Sequence, residues 1–227
     1  MKTVFKAATI AVAMAAAQGA MAWEAGDFVF RSGAVTVAPD DDSDQLNLDG
    51  AGKLPGTGVT VDDDTQLMLN IMYMATDHIG VEVLGATPFK HTIDTKGLAD
   101  LGLADVKLAT TRHLPPTVTA VWYPMESSSS FQPFIGLGVN YTYFFDEDVS
   151  GAAKDALGAG GLDLDDSWGL VGRAGADFII DDCWSVHAGV YYMNIETDAS
   201  VNTALGKVTT SVDINPWVYT IGLGYTF

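Results

Sequence analysis

The four histidines are the residues of this chain best suited to acid–base catalysis or metal binding: His78, His91, His113 and His187. No Gly-x-Ser-x-Gly motif accompanies them, and no two have the spacing that places two metal ligands on one helix face. Nothing in the sequence therefore supplies a nucleophile with its base, or a set of metal ligands. We expect no enzyme activity, no metal site and no cofactor.

A second group of residues carries charge on the strand faces that point away from the large apolar side chains. Unpaired charge is costly to bury, so we expect these carboxylates, guanidinium groups and imidazole to pair with one another. Such a cluster is a candidate polar plug, and a gate is the alternative role. The members are Asp27, Arg31, Glu82, Arg173, Asp177 and His187.

A third group shares those faces but is uncharged, and it is rich in methionine. A thioether is flexible and polarizable, so it suits a path for apolar molecules of varied shape. The alternative is that these side chains merely fill a narrow barrel. The candidate lumen-lining residues are Met68, Asn70, Met72, Met74, Phe134 and Phe144.

Two consecutive prolines, Pro115 and Pro116, interrupt a segment that otherwise has the pattern of a strand. Proline donates no ladder hydrogen bond, so pairing with a neighbouring strand should be interrupted there. Our hypothesis is that the interruption opens the wall sideways toward the bilayer. A bulge that only shapes the wall is the alternative.

The segments that carry these residues alternate large and small side chains with a period of two, which is typical of strands. The clearest is the C-terminus, where six large residues occupy every second position from Trp217 to Phe227. Eight such segments are predicted, at about 23–37, 66–75, 79–86, 105–123, 131–145, 163–180, 183–197 and 207–227.

The connections between these segments alternate in length. Long connections at about 38–65, 87–104, 146–162 and 198–206 are separated by short ones, and aromatic residues cluster near both ends of the segments. Bacterial outer-membrane barrels have short periplasmic turns, long extracellular loops and two aromatic girdles, whereas a Greek-key sandwich has no reason to alternate in this way. The predicted fold is all-β, an eight-stranded antiparallel up-and-down transmembrane β-barrel.

The N-terminus and the net charge limit location and partners. Lys2 and Lys6 precede an apolar run and a small-residue segment that ends at Ala22, which predicts a signal peptide over 1–22 and a barrel over 23–227. The barrel then has 9 basic and 29 acidic residues, which argues against nucleic acid as a partner. The acidic runs 40–44 and 62–64 are expected to be solvated loop charge, with divalent-ion binding as the alternative.

Several short blocks, in the same order along nearly the whole predicted barrel, resemble the OmpW family of outer-membrane proteins. They are Trp-Glu-Ala-Gly-Asp-Phe at 23–28, Tyr-Met-Ala-Thr-Asp-His-Ile-Gly-Val-Glu at 73–82, Ala-Thr-Pro-Phe-Lys-His at 86–91, His-Leu-Pro-Pro-Thr at 113–117, Gly-Val-Asn-Tyr-Thr at 138–142, Asp-Ser-Trp-Gly at 166–169 and Asn-Pro-Trp-Val-Tyr at 215–219.

This resemblance implies a barrel in the outer membrane of a Gram-negative bacterium, with a narrow and largely apolar lumen for passive movement of small hydrophobic molecules. The implied partners are outer-membrane lipids, lipopolysaccharide, small hydrophobic solutes and the outer-membrane assembly machinery, for which Phe227 would be the C-terminal aromatic signal. The alternative is a closed barrel that acts as a surface receptor or interaction protein through its long loops.

Overall fold

The computed structural model describes residues 22–40, 42–98 and 105–227. The predicted signal segment lies outside these residues, apart from Ala22. In chain order the elements are β1 (Phe28–Ala38), β2 (Asp42–Ser43), β3 (Asn47–Leu48), β4 (Gly52–Lys53), β5 (Gly58–Val61), β6 (Asp64–Met74), β7 (Ile79–Ala86), β8 (Phe89–Lys96), β9 (Lys107–Leu114), β10 (Thr117–Trp122), β11 (Phe131–Val149), α1 (Gly151–Leu157), β12 (Gly160–Leu164), β13 (Ser167–Ile179), β14 (Trp184–Met193), β15 (Glu196–Thr203), β16 (Gly206–Asp213) and β17 (Trp217–Thr226).

Eight of these strands close into an antiparallel barrel, which confirms the predicted fold class. Around the barrel the order is β10, β7, β6, β1, β17, β14, β13 and β11, and pairing between β11 and β10 closes the ring. Closure pairs both edges of each membrane-spanning strand along most of its length, as a bilayer requires. Within the described residues, no helix is both long and apolar enough to cross a membrane.

The two ends of the barrel differ in their connections. Short turns at 75–78, 123–130 and 180–183 occupy one end, which we call the turn end. The other, the loop end, carries the long connections that contain β2 to β5, β8 and β9, α1 and β12, and β15 and β16. Because every second connection is long, all of the additional structure collects at the loop end.

Large side chains alternate with small ones along the strands because the large ones lie on the outer surface of the barrel, which faces lipid. Trp217, Tyr219, Ile221 and Leu223 are between 42% and 53% exposed, whereas Val218 between them is 2% exposed. Aromatic rings also form contacts near each end of the barrel. Trp184 stacks edge-on against Tyr225 at the turn end, and other pairs, Tyr141 with Trp168 and Tyr192 with Trp217, lie toward the loop end.

The long connections differ from the prediction, because the structure folds much of them into strands, whereas β9 and nearly all of β16 lie within the segments 105–123 and 207–227 that were predicted as strands. β8 and β9 pair with each other, and with β5 and β11 they extend the barrel wall beyond the membrane. A separate sheet has the order β12, β15, β16, β3 and β4. The alternation of buried and exposed residues continues through these strands, but their many Gly, Asp and Thr residues make it resemble loop sequence.

Helix α1 joins these two sheets at the loop end. Ser150 caps it, since the Ser150 Oγ accepts a hydrogen bond from the Ala153 backbone N–H. Gly158 ends it with a left-handed φ of 59°, and a Cβ there would lie 2.7 Å from the Ala204 Cβ. A glycine is therefore required where the chain leaves the helix and passes the β15–β16 hairpin.

Lysine substitutions at two exposed leucines can test which part of the outer surface faces the membrane. Leu137, at the middle of β11, is 75% exposed, and Leu205, at the tip of the β15–β16 hairpin, is 71% exposed. A lysine on the lipid face at mid-bilayer costs about 2–4 kcal/mol. Leu137→Lys should therefore lower the free energy of unfolding in lipid by about that amount.

The matched control is Leu205→Lys, which adds the same charge at a site of similar exposure outside the membrane. Urea titrations of both variants in lipid vesicles measure the two effects. Equal stability of the two variants would contradict the lipid-facing position of Leu137.

Candidate functional site

The loop end contains a cavity of about 320 Å³ between the β5–β8–β9 side and the β12–β15–β16 sheet. None of its lining residues is Asp, Glu, Lys or Arg. Small-molecule sites of this volume are typically lined by apolar side chains with a few polar groups. The lining comprises Val37, Pro39, Leu46, Leu48, Leu54, Val59, Val61, His91, Ile93, Thr95, Leu98, Leu108, Thr111, His113, Thr142, Phe144, Leu157, Leu162, Leu164, Ile195, Thr197, Ala199, Ser200, Val201, Thr203, Leu205, Val208, Thr209, Thr210, Val212, Ile214 and Pro216.

An apolar layer fills the barrel below this cavity. Its side chains come from strands on all sides of the barrel, and each is at most 7% exposed. This layer separates the cavity from the turn-end half of the interior. Its members are Val35, Val37, Met68, Leu84, Phe89, Phe144, Val171, Tyr191, Met193, Ile195 and Val218.

The turn-end half contains a buried cluster of charged groups centred on Arg31. The Arg31 NH1 lies 3.0 Å from the Glu82 Oε2, and the Arg31 Nε lies 3.2 Å from the Asp177 Oδ1. Arg173 pairs with the other oxygen of Glu82, and the His187 Nδ1 lies 2.8 Å from the Asp177 Oδ1. The two arginines balance the two carboxylates, so the ion pairs carry no net charge.

Tyrosines and aromatic faces complete the environment of these ions. The Tyr191 hydroxyl donates to Glu82 at 2.9 Å, and the Tyr123 hydroxyl donates to Asp177 at 3.2 Å. The guanidinium of Arg173 lies 4.5 Å from the ring centre of Phe134 and 4.4 Å from that of Tyr191. Cation–π contacts of this kind are strongest where the cation is desolvated, as it is here.

Trp23 closes the barrel below the charged cluster. It is 3% exposed, its ring packs 4.8 Å from Tyr123, and its Nε1 donates to the Thr226 Oγ1. The guanidinium of Arg31 lies 5.3 Å above the Trp23 ring. The first residues of the predicted mature chain therefore form the floor of the barrel interior.

Five of the six predicted plug residues meet in this cluster, and the sixth, Asp27, does not. Asp27 lies just before β1 at the turn end, where its Oδ2 accepts from the Glu24 backbone N–H. Placing it in the cluster was wrong, because the alternation of faces holds only inside a strand. The five that meet are Arg31, Glu82, Arg173, Asp177 and His187.

The six lumen-lining candidates all have their side chains inside the barrel, but they lie at different heights. Phe144 alone among them lines the cavity. Met68 belongs to the apolar layer below it, and Met72, Met74 and Phe134 pack with Trp23 at the turn end. Asn70 sits within the charged cluster, where its Oδ1 lies 3.4 Å from the Arg31 NH1.

The barrel wall has a break beside Pro115 and Pro116. β7 pairs with β10 as far as Leu84 and Thr117, and pairing resumes between β8 and β9 at Phe89 and His113. Between these two pairs, residues 85–88 on one side and 114–116 on the other do not pair with each other. We call this unpaired part of the wall the seam. Seam residues remain bonded to their other neighbours, since the Thr87 N–H donates to Leu67 O and the Tyr141 N–H donates to Pro116 O.

Both the sequence and this barrel are similar to known proteins. The OmpW family model matches residues 24–227. The chain belongs to the OmpW family. Outer membrane protein W of Escherichia coli (strain K12) is 42% identical over 222 residues, which cover 97% of each protein. Outer membrane protein W of Vibrio cholerae serotype O1 is 44% identical over 207 residues, which cover 91% of each.

The solved structures agree with the family match. The crystal structure of the outer membrane protein OprG from Pseudomonas aeruginosa matches with a TM-score of 0.85 and 47% identity, covering 91% of this chain and 98% of that one. The family resemblance inferred from the sequence is therefore confirmed. As an OmpW-family member, the protein is located in the outer membrane of a Gram-negative bacterium.

Several residues that build this OmpW-family site were not predicted from the sequence. Tyr123 and Tyr191 are part of the charged cluster, and Pro88 lies on the seam opposite the two predicted prolines. Of the strands around the cavity, β5, β8 and most of β15 were predicted as loops, whereas β9 and nearly all of β16 fell within the predicted strand segments 105–123 and 207–227. The signal available in the sequence was a large side chain at every second position, such as Phe89, His91 and Ile93, which are the buried residues of β8.

The charged cluster yields a stability prediction. Glu82→Ala removes one of the two carboxylates that pair with Arg31 and the carboxylate that pairs with Arg173, and an unpaired buried charge costs about 3–5 kcal/mol. Asp27→Ala is the matched control, since it deletes a carboxylate that the sequence also placed in the cluster. Unfolding in lipid vesicles should show a large loss for Glu82→Ala and a small one for Asp27→Ala. Similar losses in both variants would contradict the cluster described here.

Proposed function

We propose that this protein is an outer-membrane channel for passive uptake of small apolar molecules, which bind in the loop-end cavity and leave sideways into the bilayer. The observation that carries the proposal is the combination of an uncharged cavity at the loop end with a filled interior below it. An apolar molecule is favoured in such a cavity because binding removes apolar surface from water.

The charged cluster makes axial passage unfavourable for such a solute. Arg31, Glu82 and Asp177 are each fully buried, and Arg31 pairs with both carboxylates. A solute moving along the axis would have to separate these ions and leave them unpaired. We propose that the cluster acts as the plug of the turn-end half, and that methionines 68, 72 and 74 fill the barrel rather than line a path.

The seam gives the solute a different exit. Phe89 begins β8 beside the seam, and His113 is the last residue but one of β9 and also lines the cavity. A route from the cavity to the bilayer therefore passes Phe89 and His113 first. It then crosses the seam between residues 85–88 and residues 114–116. The lateral route needs no separation of buried ions.

The orientation and the remaining partners belong to the same proposal. The loop end faces the outside, where acidic connections such as 62–64 meet lipopolysaccharide through divalent ions. Phe227 is 76% exposed at the turn end, which is compatible with recognition by the outer-membrane assembly machinery.

The cavity can be tested with two neighbouring positions on opposite faces of β15. Val201 is 6% exposed and lines the cavity, whereas Asn202 is exposed on the other face. Val201→Asp should weaken apolar-solute binding about tenfold, or about 1.4 kcal/mol, because a carboxylate must be desolvated beside the solute. Asn202→Asp adds the same charge outside the cavity and should leave binding unchanged.

Uptake of an apolar solute into proteoliposomes provides the measurement, with a hydrophilic solute of similar size as reference. Equal uptake by both variants and the unchanged protein would overturn the cavity as the binding site. Uptake no faster than in protein-free liposomes would favour the receptor alternative.

The exit can be tested by closing the seam. Replacing both Pro115 and Pro116 with Val restores two backbone donors, which can pair with the 85–88 edge. Apolar uptake should then fall toward the protein-free rate, while solute binding in the cavity is retained. Pro124→Val, in a short turn at the other end, is the control. Unchanged uptake in a folded double variant would show that the seam is not the exit.

A further inference from the structure

Two imidazoles are the only titratable side chains among the described residues that line the cavity, and they lie on strands outside the membrane-spanning barrel. His91 is 3% exposed on β8 and His113 is 5% exposed on β9. Their Nε2 atoms are 2.9 Å apart, with ring centres 4.9 Å apart and planes inclined by 22°. The two rings therefore meet nearly edge to edge, joined by one N–H···N hydrogen bond.

The hydrogen-bond partners of the two rings show which of their nitrogens carry a hydrogen. The His91 Nδ1 lies 2.6 Å from the backbone carbonyl oxygen of Asp62, which can only accept, so Nδ1 carries the hydrogen. In a neutral ring the His91 Nε2 is then the acceptor, and the His113 Nε2 must donate to it. The His113 Nδ1 is left as a buried acceptor without a hydrogen-bond partner among the described residues.

The two histidines lie among aromatic rings that separate the cavity from the seam. The ring centre of His113 is 5.2 Å from that of Phe89 and 5.8 Å from that of Phe144. His113 precedes Pro115 by two residues, and Phe89 is the first residue of β8 after the seam. A positive charge on either histidine would therefore lie beside both the cavity and the proposed exit through the seam.

The surroundings oppose protonation of His113. Burial first, and then the neighbouring His91, lower the pKa of His113 to about 3, and Asp64 acts weakly in the raising direction. The Asp62 Oδ1 lies 3.8 Å from the His91 Nδ1, and it is half exposed. The nearby cations face water, since Lys90 is exposed and Arg112 pairs with Asp146 at 3.1 Å.

We propose that the His91–His113 pair makes solute binding proton-sensitive: the neutral pair keeps the cavity wall apolar, and protonation weakens the binding of apolar solutes. This inference rests on the proposed function. One proton, at the His113 Nδ1 or on His91, leaves the N–H···N bond possible but places a charge beside the solute. A second proton sets two N–H groups against each other and breaks the bond.

The direction of the effect with pH follows from linkage. Because burial lowers the pKa of His113 below the ordinary value of about 6.5, the folded cavity favours the neutral pair. Binding is therefore constant from alkaline pH down to about pH 4, and it falls as pH decreases through about 3, where the solute-free pair takes up a proton. Reciprocally, a bound apolar solute must shift protonation of the pair to still lower pH.

The test uses proteoliposomes and N-phenyl-1-naphthylamine, an apolar fluorescent probe that stays uncharged between pH 8 and pH 3. Binding to protein-free liposomes is subtracted at each pH. The affinity of the unchanged protein should stay constant down to about pH 4 and be about twofold lower at pH 3, where about half of the pair is protonated. The double variant His91→Phe with His113→Phe should bind the probe with an affinity that does not depend on pH.

Two further variants identify other titrating groups. His78→Gln removes an imidazole from a turn-end loop, and Asp62→Asn removes the carboxylate nearest the pair. Both should keep the pH dependence of the unchanged protein. An equal pH dependence in the double Phe variant would overturn the inference, and so would loss of the dependence in Asp62→Asn.

A second measurement needs no substitution and does not depend on transport. Nitrogen-15 spectra of the histidine rings in nanodiscs should show His113 protonated at Nε2 and unprotonated at Nδ1 at pH 8. A hydrogen on His113 Nδ1 at that pH would overturn the assigned pair. Absence of probe binding at pH 8 would instead overturn the proposed function, while the spectra still decide the state of the pair.

Discussion

The interior of this barrel depends on the buried ion pairs among Arg31, Glu82, Asp177 and Arg173. Three strands, β1, β7 and β13, contribute these groups, and each group is stable without water only because its counter-ion comes from across the lumen. The pairs therefore require a closed barrel with its strands in one register. They also fill the turn-end half, so any space for a ligand is confined to the loop end.

Every other feature of the candidate site is arranged around that constraint. Apolar layers lie above and below the ions, and the lower one is closed by Trp23. Strands β8, β9, β15 and β16 rise beyond the membrane and enclose the cavity, since a cavity of about 320 Å³ needs walls that the membrane-spanning strands alone do not supply. The seam, in turn, is the place where the wall between cavity and bilayer lacks backbone pairing.

The sequence predicted the eight membrane-spanning strands and most of the charged cluster, because alternation records directly which face of a strand a residue occupies. It did not predict height along the barrel axis, which is why Met72 and Phe134 were grouped with Phe144 although they lie at the opposite end. It also missed several strands of the loop end, including β3, β5 and β8, whose pairing joins residues far apart in the chain. Val208 pairing with Leu48 is one example. Asp27 shows the complementary error, where alternation was extended past the end of a strand.

The most direct test of the central claim is to locate an apolar solute by photo-crosslinking. An alkyl diazirine would be activated in proteoliposomes of the unchanged protein, and the modified residues identified by mass spectrometry. Lipid-facing residues will react in any case, so only inward-facing residues are informative. If the solute binds in the loop-end cavity, we expect crosslinks at Ile93, Val201 and Val212 and none at Met72, Tyr123 or Phe134. Crosslinks at those turn-end residues would contradict it, because they would place the solute on an axial path through the ion pairs.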